Sequence, residues 1–263
     1  MRIATWNVNS VRLRCDAIVA WLKDRNPDVV CLQEIKCQNE QFPREAFEAV
    51  GYNVEVHGQK GFNGVALLSK HRFEEVASGL QGDEADVQAR FLEAIVSTKD
   101  GAVRVVSLYL PNGNPPETEK YPYKLKWMDR LYDFARAHLR NEEPLVLAGD
   151  YNVIPTAADV HNPELWLTDA LFLPQTRAKF RELANLGMTD AIRAVSDDHG
   201  LYTFWDYQAG AWQKNNGIRI DHLMLSPQAA DRLTAAGIDK HVRAWERPSD
   251  HVPVWIDLDL EKK

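Results

Sequence analysis

Polar side chains follow two apolar runs in the first part of the chain, at the point where each run ends. Asn7 and Asn9 follow the run at the start of the chain, and Glu34 follows the next one. Two amides at such a position could coordinate a hard cation or orient a carboxylate, although asparagine is also a common turn residue. A carboxylate that emerges from a buried strand needs a partner, which Mg²⁺ or Lys36 could supply.

Further polar groups stand in the second half of the chain. Asp150 and Asn152 lie two apart, so on an extended backbone they share a face and could activate a water molecule and hold a phosphoryl oxygen. An Asx-type turn is the alternative there. Asp250 and His251 are adjacent and should point to opposite faces, one toward a metal and one toward substrate. His251 would need an acidic partner to fix its tautomer, and Asp221 is a plausible one.

These groups must be positioned by strands, which the apolar runs predict at eight places: residues 3–8, 29–33, 65–69, 91–97, 103–110, 145–148, 220–225 and 252–258. Helical spacing predicts a helix that stops at Pro27, another from Leu125 to Leu139, and a third from Phe180 that ends near Gly187. Strands interspersed with helices indicate sheets covered by helices. The turn-rich segment 111–116 reads as a surface loop and not as a linker, so we expect a single domain over residues 1–263.

Composition narrows the functional classes. A net charge of −7 counts against a DNA-coating protein, but a nuclease can gather acids at a metal site and keep a local basic rim. Three cysteines argue against a disulfide framework and for a reducing compartment, so we expect a cytoplasmic protein. The sequence has no signal-peptide pattern and no apolar run long enough for a membrane span. Without a coiled-coil pattern, a monomer is expected.

Together and in this order, the polar groups resemble those of the exonuclease III family of abasic-site endonucleases, within the endonuclease/exonuclease/phosphatase superfamily. The resemblance extends from Met1 to about Leu258 and is carried by WNVNS at 6–10, LQEIK at 32–36, GQKGFNGVAL at 58–67, LYLPNG at 108–113, AGDYNVIP at 148–155, YTFWDY at 202–207, NNGIRIDHL at 215–223 and RPSDHVPV at 247–254. It implies an α/β (α+β) fold, a four-layer αββα sandwich of two packed mixed β-sheets flanked by helices.

The resemblance also implies the members of the site. Glu34 is expected to be the main Mg²⁺ ligand, with Mn²⁺ as a possible substitute, and the wider metal set is Asn7, Asp150, Asn152, Asp250 and His251. The expected catalytic residues are Tyr109, Asp150, Asn152, Asp221 and His251. Asp150 and Asn152 would handle the attacking water and the scissile phosphate, Tyr109 would contact the phosphate, and either Asp150 or His251 would be the general base.

Substrate contacts follow in the same way. A pocket for a base-less sugar is expected from Phe204, Trp205, Ile218 and Ile220, although Trp205 could equally be a core residue. Ile218 stands where some relatives place a tryptophan, so this side of the pocket is aliphatic. Phosphate contacts are expected from Arg90 and Lys60, with weaker candidates at Lys124, Lys126 and Lys214.

The resemblance thus implies a Mg²⁺-dependent DNA repair nuclease. It would hydrolyse the phosphodiester 5′ to abasic sites in double-stranded DNA and remove nucleotides or blocking groups from 3′ ends. Two other interpretations are a phosphatase or lipid phosphodiesterase of the same fold with a non-DNA substrate, and a catalytically inactive DNA-binding relative. The YTFWDY and NNGIRID blocks favour the nuclease over the first, and the complete set of polar residues argues against the second.

Overall fold

The computed structural model describes residues 1–262, which form twelve β-strands and six α-helices. The strands are β1 Arg2–Asn7, β2 Val29–Gln33, β3 Asn53–His57, β4 Val65–Ser69, β5 Phe73–Ser78, β6 Phe91–Thr98, β7 Gly101–Tyr109, β8 Leu145–Asp150, β9 Thr189–Asp190, β10 Asp221–Leu225, β11 Leu233–Ile238 and β12 Val254–Leu258. The helices are α1 Val11–Arg25, α2 Arg44–Glu48, α3 Lys120–His138, α4 Pro174–Asn185, α5 Ala191–Val195 and α6 Pro227–Ala230.

The strands form two six-stranded sheets with the same pattern of strand directions. One sheet has the order β11-β12-β1-β2-β4-β3, and the other has the order β5-β6-β7-β8-β10-β9. Each contains a single parallel pair at its centre, β1 with β2 and β7 with β8, and every other neighbouring pair is antiparallel. The sheets are therefore mixed, as expected.

Alternating side chains on the strands divide the core into layers. Ile3 and Cys31 lie in a cluster with residues of the other sheet such as Val105, between the two sheets. Their neighbours Ala4 and Leu32 point the other way, into a second cluster with Trp21 of α1 and Phe47 of α2. A third cluster packs α3 and α4 on the outer face of the second sheet. The four-layer αββα sandwich is thus confirmed.

Helix boundaries follow local chemistry. α1 ends where Asn26 adopts a left-handed conformation and donates its N–H to the carbonyl oxygen of Leu22, and Pro27 cannot continue a helix. α4 begins with Pro174, which lacks the N–H that a helix leaves unpaired at its first turn. All three predicted helices are present.

All eight predicted strands are present, with ends that shift by up to two residues. The four strands that the sequence did not predict are β3, β5, β9 and β11, and these are the four edge strands of the two sheets. An edge strand is more exposed and so lacks a continuous apolar run; β5, for example, is exposed at five of its six residues. Within residues 1–262, none of the helices combines the length and apolarity that crossing a bilayer needs.

Candidate active site

The C-terminal ends of the two parallel strand pairs meet at one end of the sandwich. Asn7 ends β1 and Glu34 follows β2, while Tyr109 ends β7 and Asp150 ends β8. Because parallel strands end at the same edge of a sheet, each sheet delivers two polar side chains to that edge. All of these except Asn7, which is fully buried behind them, line a cleft of about 290 Å³.

Asn7 joins the two carboxylates. Its amide nitrogen donates to Glu34 Oε1 and to Asp150 Oδ2, both at 2.9 Å, and its oxygen accepts from the backbone of Asn9. Of the two roles open to this amide, the geometry matches the orientation of carboxylates. Lys36 Nζ lies 2.9 Å from Glu34 Oε2. Burial alone would raise the pKa of Glu34, but Lys36 and then Asn7 hold it below its usual value, so the carboxylate stays ionised.

The chain turns sharply where it presents these groups. Glu34 has φ of +48° and Asn152 has φ of +47°, in the left-handed region that non-glycine residues rarely adopt. Backbone hydrogen bonds hold the first turn, since Ser10 donates to the carbonyl of Glu34 at 2.7 Å and Ile35 donates to Gly64 at 3.2 Å. Strained backbone of this kind persists when neighbouring contacts over-determine it, and it occurs preferentially at functional sites.

Asp150 lies at the base of the cleft and is 1% exposed. Its Oδ1 accepts from the backbone of Asn152 at 2.9 Å, and its Oδ2 faces His251 Nε2 at 3.7 Å as well as Asn7. Burial raises the pKa of Asp150 to about 7, against the opposing effects of His251 and Asn7. This carboxylate is therefore basic for its type and is held in one orientation.

His251 is fixed by an acidic partner from the other sheet. Its Nδ1 lies 2.8 Å from Asp221 Oδ2, so the predicted pair forms. The Thr203 hydroxyl donates to the same oxygen at 2.6 Å while it accepts from the backbone N–H groups of Ile220 and Asp221. Burial lowers the pKa of His251, but Asp221 and then Asp150 raise it to about 10, so the imidazole is cationic at neutral pH.

Asn152 and Tyr109 complete the second sheet's contribution. Asn152 donates to the carbonyl of Leu110 at 2.9 Å and accepts from the side chain of Asn112 at 3.2 Å. Burial, then the charges of Glu34 and Asp150, raise the pKa of Tyr109 well above its usual value, so its hydroxyl remains a proton donor.

Asp250 lines the same cleft and is connected to the carboxylate cluster. Asn9 connects the two, since its Nδ2 donates to Asp250 Oδ1 at 3.1 Å and its Oδ1 accepts from Lys36 at 2.6 Å. The alternation of an extended strand predicts that Asp250 and His251 face opposite sides. In the structure both residues line the cleft. They precede β12, in a segment that forms only an isolated bridge at His251, so strand alternation does not govern them.

An apolar wall flanks the polar groups. Phe204, Ile218 and Ile220 line the cleft as predicted, and Trp166 and Leu171 join them without having been predicted. The last two come from the loop after β8, where apolar residues in a Pro- and Asn-containing segment were the only available signal. Phe204 also packs edge-on against the His251 ring, with centroids 5.0 Å apart.

Trp205 does not line the cleft, and its assignment to the sugar pocket is corrected. It is fully buried in a cluster with Tyr202 and Val252. Its neighbour Phe204 faces the cleft, and adjacent residues on an extended chain point in opposite directions. Trp205 is therefore the core residue that the alternative interpretation described.

The arginine and lysines that were expected to contact phosphates lie at different distances from the cleft. Arg90 lies over the Tyr109 ring at 4.8 Å and borders the cleft, whereas Lys60 is exposed on the loop before β4. Lys124 is fully buried and donates to the carbonyl of Asn152 at 2.5 Å, so it supports the site and cannot contact DNA. Lys126 pairs with Asp83, and Lys214 bonds the nearby backbone.

The donor set fits a hard cation. One ligand atom from each of Glu34, Asp150 and His251 lies within 4.8 Å of the others. Carboxylate oxygens are the ligands that Mg²⁺ prefers, and Mg²⁺ is bound through few protein groups because it retains several waters. Glu34 and Asp150 supply two such carboxyl groups at the base of the cleft.

Comparisons with known proteins show which chains this one resembles. Residues 4–251 match the endonuclease/exonuclease/phosphatase family. Exodeoxyribonuclease III of Haemophilus influenzae is 34% identical, and the alignment covers 98% of this chain and all of that protein. An AP endonuclease from Archaeoglobus fulgidus has a TM-score of 0.93 at 35% identity, with 98% and 99% of the two chains covered. The 3′ phosphatase NExo from Neisseria, bound to a product DNA hairpin, has a TM-score of 0.94 at 37% identity with the same coverage.

Proposed function

This chain belongs to the endonuclease/exonuclease/phosphatase family, and we propose that its cleft hydrolyses the phosphodiester 5′ to abasic sites in double-stranded DNA with one bound Mg²⁺. In coarser terms the chain is a DNA repair nuclease of the exodeoxyribonuclease III type, as its relatives over the full length indicate. A phosphatase or phosphodiesterase with a non-DNA substrate is not favoured by these relatives. The observation that carries the finer proposal is the carboxylate cluster beside an apolar wall.

Glu34 is the residue to which we assign the metal, with Asp150 and His251 beside it and Asp250 connected to this group through Asn9. Mn²⁺ would fit the same oxygen donors. When bound, Mg²⁺ supplies positive charge that stabilises the phosphoryl oxygens and the leaving 3′-oxygen. Asn7 holds the two carboxylates in the orientation that this requires.

Asp150 is the residue to which we assign the attacking water. Its orientation is set by N–H groups of Asn7 and Asn152, and burial makes it a stronger base than a free carboxylate. A positioned base of this kind contributes roughly 10²–10⁴ in rate. His251 carries a proton on the nitrogen that faces Asp221, and its other nitrogen would donate to a non-bridging phosphate oxygen. His251 as the base is the competing assignment, which Asp150→Asn tests below.

Tyr109 and Asn152 are the neutral donors of the cleft. The Tyr109 hydroxyl remains protonated, and the Asn152 amide is held by Leu110 and Asn112 at its two ends. Donors that are already oriented stabilise charge as it develops, because they need no rearrangement during the reaction. Both would contact the scissile phosphate.

The apolar wall accounts for selectivity. A sugar without its base rotates out of the duplex at little cost in stacking and would enter between Phe204, Ile218 and Ile220. Removal of nucleotides and blocking groups from 3′ ends would use the same phosphate site.

Flanking DNA has a place beside the cleft. A cavity of about 430 Å³ shares Asn112 and Asn114 with it and presents Arg90, Lys120 and the exposed ring of Phe62. Cations and an aromatic ring suit a nucleic-acid backbone and a stacked base, so the local surface can bind DNA despite the net charge of −7.

The three free cysteines support our further proposal of a cytoplasmic location.

The test is incubation of a duplex that contains one tetrahydrofuran abasic mimic, with Mg²⁺ and with EDTA. We expect a single nick 5′ to the lesion that requires the metal, and Glu34→Ala should raise the Mg²⁺ concentration needed for half-maximal activity. An intact duplex in the presence of Mg²⁺ would overturn the abasic-site proposal. Equal cleavage in EDTA would overturn the assignment of the metal.

A further inference from the structure

The apolar wall of the cleft belongs to a small hydrophobic cluster. Most of its residues lie outside the strands of the two sheets. Its buried members are Ile154, Val160, Leu171, Phe172, Ile218 and Ile220. The segments of this cluster are linked by isolated bridges, Val160 with Ile218 and Ile218 with Phe204, and by single backbone hydrogen bonds such as that from the Ile154 N–H to the carbonyl of Leu171 at 2.9 Å. Because these backbone contacts are fewer than in a sheet, side-chain contacts have more influence on the spacing of the segments.

Arg219 lies between the two isoleucines of the wall. Since Ile218 and Ile220 face the cleft, the Arg219 side chain points beneath the wall, where the residue is 1% exposed. Its Nε donates to Asp159 Oδ1 at 2.7 Å, and its Nη1 donates to Asp190 Oδ2 at 2.8 Å. The guanidinium thus ties the wall segment to two separate parts of the chain.

Asp159 is held equally firmly at the other end of the ion pair. Its Oδ2 accepts from the backbone and the hydroxyl of Thr156, and its Oδ1 also accepts from Arg193 at 2.6 Å. The backbone carbonyl of Asp159 accepts from the backbone N–H of Arg219 at 2.8 Å. Burial raises the pKa of Asp159, but Arg219 and then Arg193 hold it well below its usual range, so the pair is ionic.

The ion pair connects two segments of the apolar wall. The segment that follows Asp159 carries Trp166 and Leu171, and the segment that contains Arg219 carries Ile218 and Ile220. A buried ion pair adds little net stability compared with apolar packing, but breaking it by loss of one partner leaves an uncompensated charge. Its effect here would be to select one separation of these two segments.

We propose that the Arg219–Asp159 ion pair is a positioning element that sets the width of the apolar pocket, and thereby the preference of the site for a base-less sugar over a nucleotide. The inference rests on the proposed function, because it requires a sugar to enter this pocket. Loss of the pair should let the two segments of the wall separate, so that a base-less sugar is bound less tightly and a base-bearing sugar is excluded less effectively.

The experiment compares three reactions of Asp159→Asn and of wild type: nicking at the abasic mimic, removal of an ordinary 3′-nucleotide, and removal of a 3′-phosphate. The last reaction uses the same phosphate site and places no sugar in the pocket. We expect kcat/KM for nicking to fall about 10-fold, mainly through KM, while release of the 3′-phosphate changes little. The ratio of nicking to nucleotide removal should therefore fall by at least that factor.

Matched variants separate positioning from general damage. Arg219→Lys keeps the charge but lacks the separate Nε and Nη1 donors that bond Asp159 and Asp190, so it should shift the ratio in the same direction. Ile218→Ala widens the wall directly and should reproduce the shift. Arg193→Gln removes the other cation on Asp159 and does not touch the wall, so its ratio should equal that of wild type.

Equal losses in all three reactions for Asp159→Asn and Arg219→Lys would overturn the inference, as would the same shift in Arg193→Gln. Thermal unfolding identifies a variant that does not fold, and Ile218→Ala and Arg219→Lys then still decide the question. If wild type releases 3′-phosphate but does not nick the abasic duplex, the proposed function fails. In that case the ratio of nucleotide removal to phosphate removal still tests the ion pair.

Discussion

At the scale of single residues, one asparagine amide lets two carboxylates share a buried site. Asn7 has two N–H groups, and it donates one to Glu34 and one to Asp150 at equal distances. Repulsion between the carboxylates would otherwise favour the neutral form of one of them. Lys36 and His251 place a positive charge beside each carboxylate. The chemistry of this site therefore depends on individual hydrogen bonds, which conservative substitutions can remove one at a time.

Asp150→Asn removes the base and keeps the shape of the side chain. We expect kcat to fall by about 10²–10⁴, with little change in the affinity for abasic duplex. Single-turnover cleavage and a binding titration measure the two effects. Asp206→Asn is the control, because Asp206 lines the same cleft and does not belong to the carboxylate cluster. Activity of Asp150→Asn equal to wild type would refute the role assigned to Asp150 and favour His251 as the base.

Thr203 was not predicted from the sequence, and its hydroxyl has only one direction in which to donate. Two backbone N–H groups point at its oxygen, so its proton goes to Asp221 Oδ2. Thr203→Val should lower kcat by about 10- to 100-fold, since a hydrogen bond to a charged group contributes roughly 1.5–3 kcal/mol. Thr203→Ser keeps the hydroxyl and should restore most of the rate. Similar losses in the two variants would mean that side-chain volume matters and the hydrogen bond does not.

At the scale of elements, the site depends on how closely two parallel strands approach. β7 and β8 pair from Arg104 with Leu145 through Tyr109 with Asp150, so the last pair of the ladder consists of two site residues. Gly149 lies one residue before that end. A Cβ at position 149 would lie 1.9 Å from the carbonyl oxygen of Leu108, which is backbone and cannot move aside.

Gly149→Ala should therefore force β7 and β8 apart at the catalytic end. Overpacking of this kind costs about 1–3 kcal/mol, and a clash with backbone belongs at or above the upper end of that range. We expect a lower thermal unfolding temperature and a loss of cleavage larger than stability alone explains, because Tyr109 and Asp150 both shift. An unchanged unfolding temperature would show that the ladder tolerates a Cβ there.

At the scale of the whole molecule, a buried histidine beside Arg219 makes the stability of the fold depend on pH. His222 of β10 is fully buried between Arg219 and the loop after β8. Arginine can only donate, so His222 Nδ1 accepts from Arg219 and its Nε2 donates to the carbonyl of Val153 at 3.0 Å. Burial first, and then the Arg219 charge, lower the pKa of His222 to about 4.

This lowered pKa predicts a loss of stability in mild acid. The unfolded chain protonates His222 near pH 6.5 and the folded protein does so only near pH 4, so stability is complete above 6.5 and is lost as the pH falls through this window. The loss is on the order of 3 kcal/mol, at about 1.4 kcal/mol per pKa unit. Urea unfolding of wild type and His222→Gln from pH 7 to 4 measures it. The variant should show a shallower slope, and exposed His199→Gln should match wild type.

The sequence by itself determined the eight interior strands, the three long helices and the polar residues at the strand ends, because a strand buried on both faces needs a continuous apolar run. Its pattern could not reveal the four edge strands, which are partly exposed, or the core position of Trp205. Only the tertiary structure decided that Asn7 joins Glu34 to Asp150, that Thr203 supports Asp221, and that Arg219 and Asp159 link two segments of the apolar wall. The physical reason is that these contacts join residues 18 to 143 positions apart, and local periodicity carries no information about such distances.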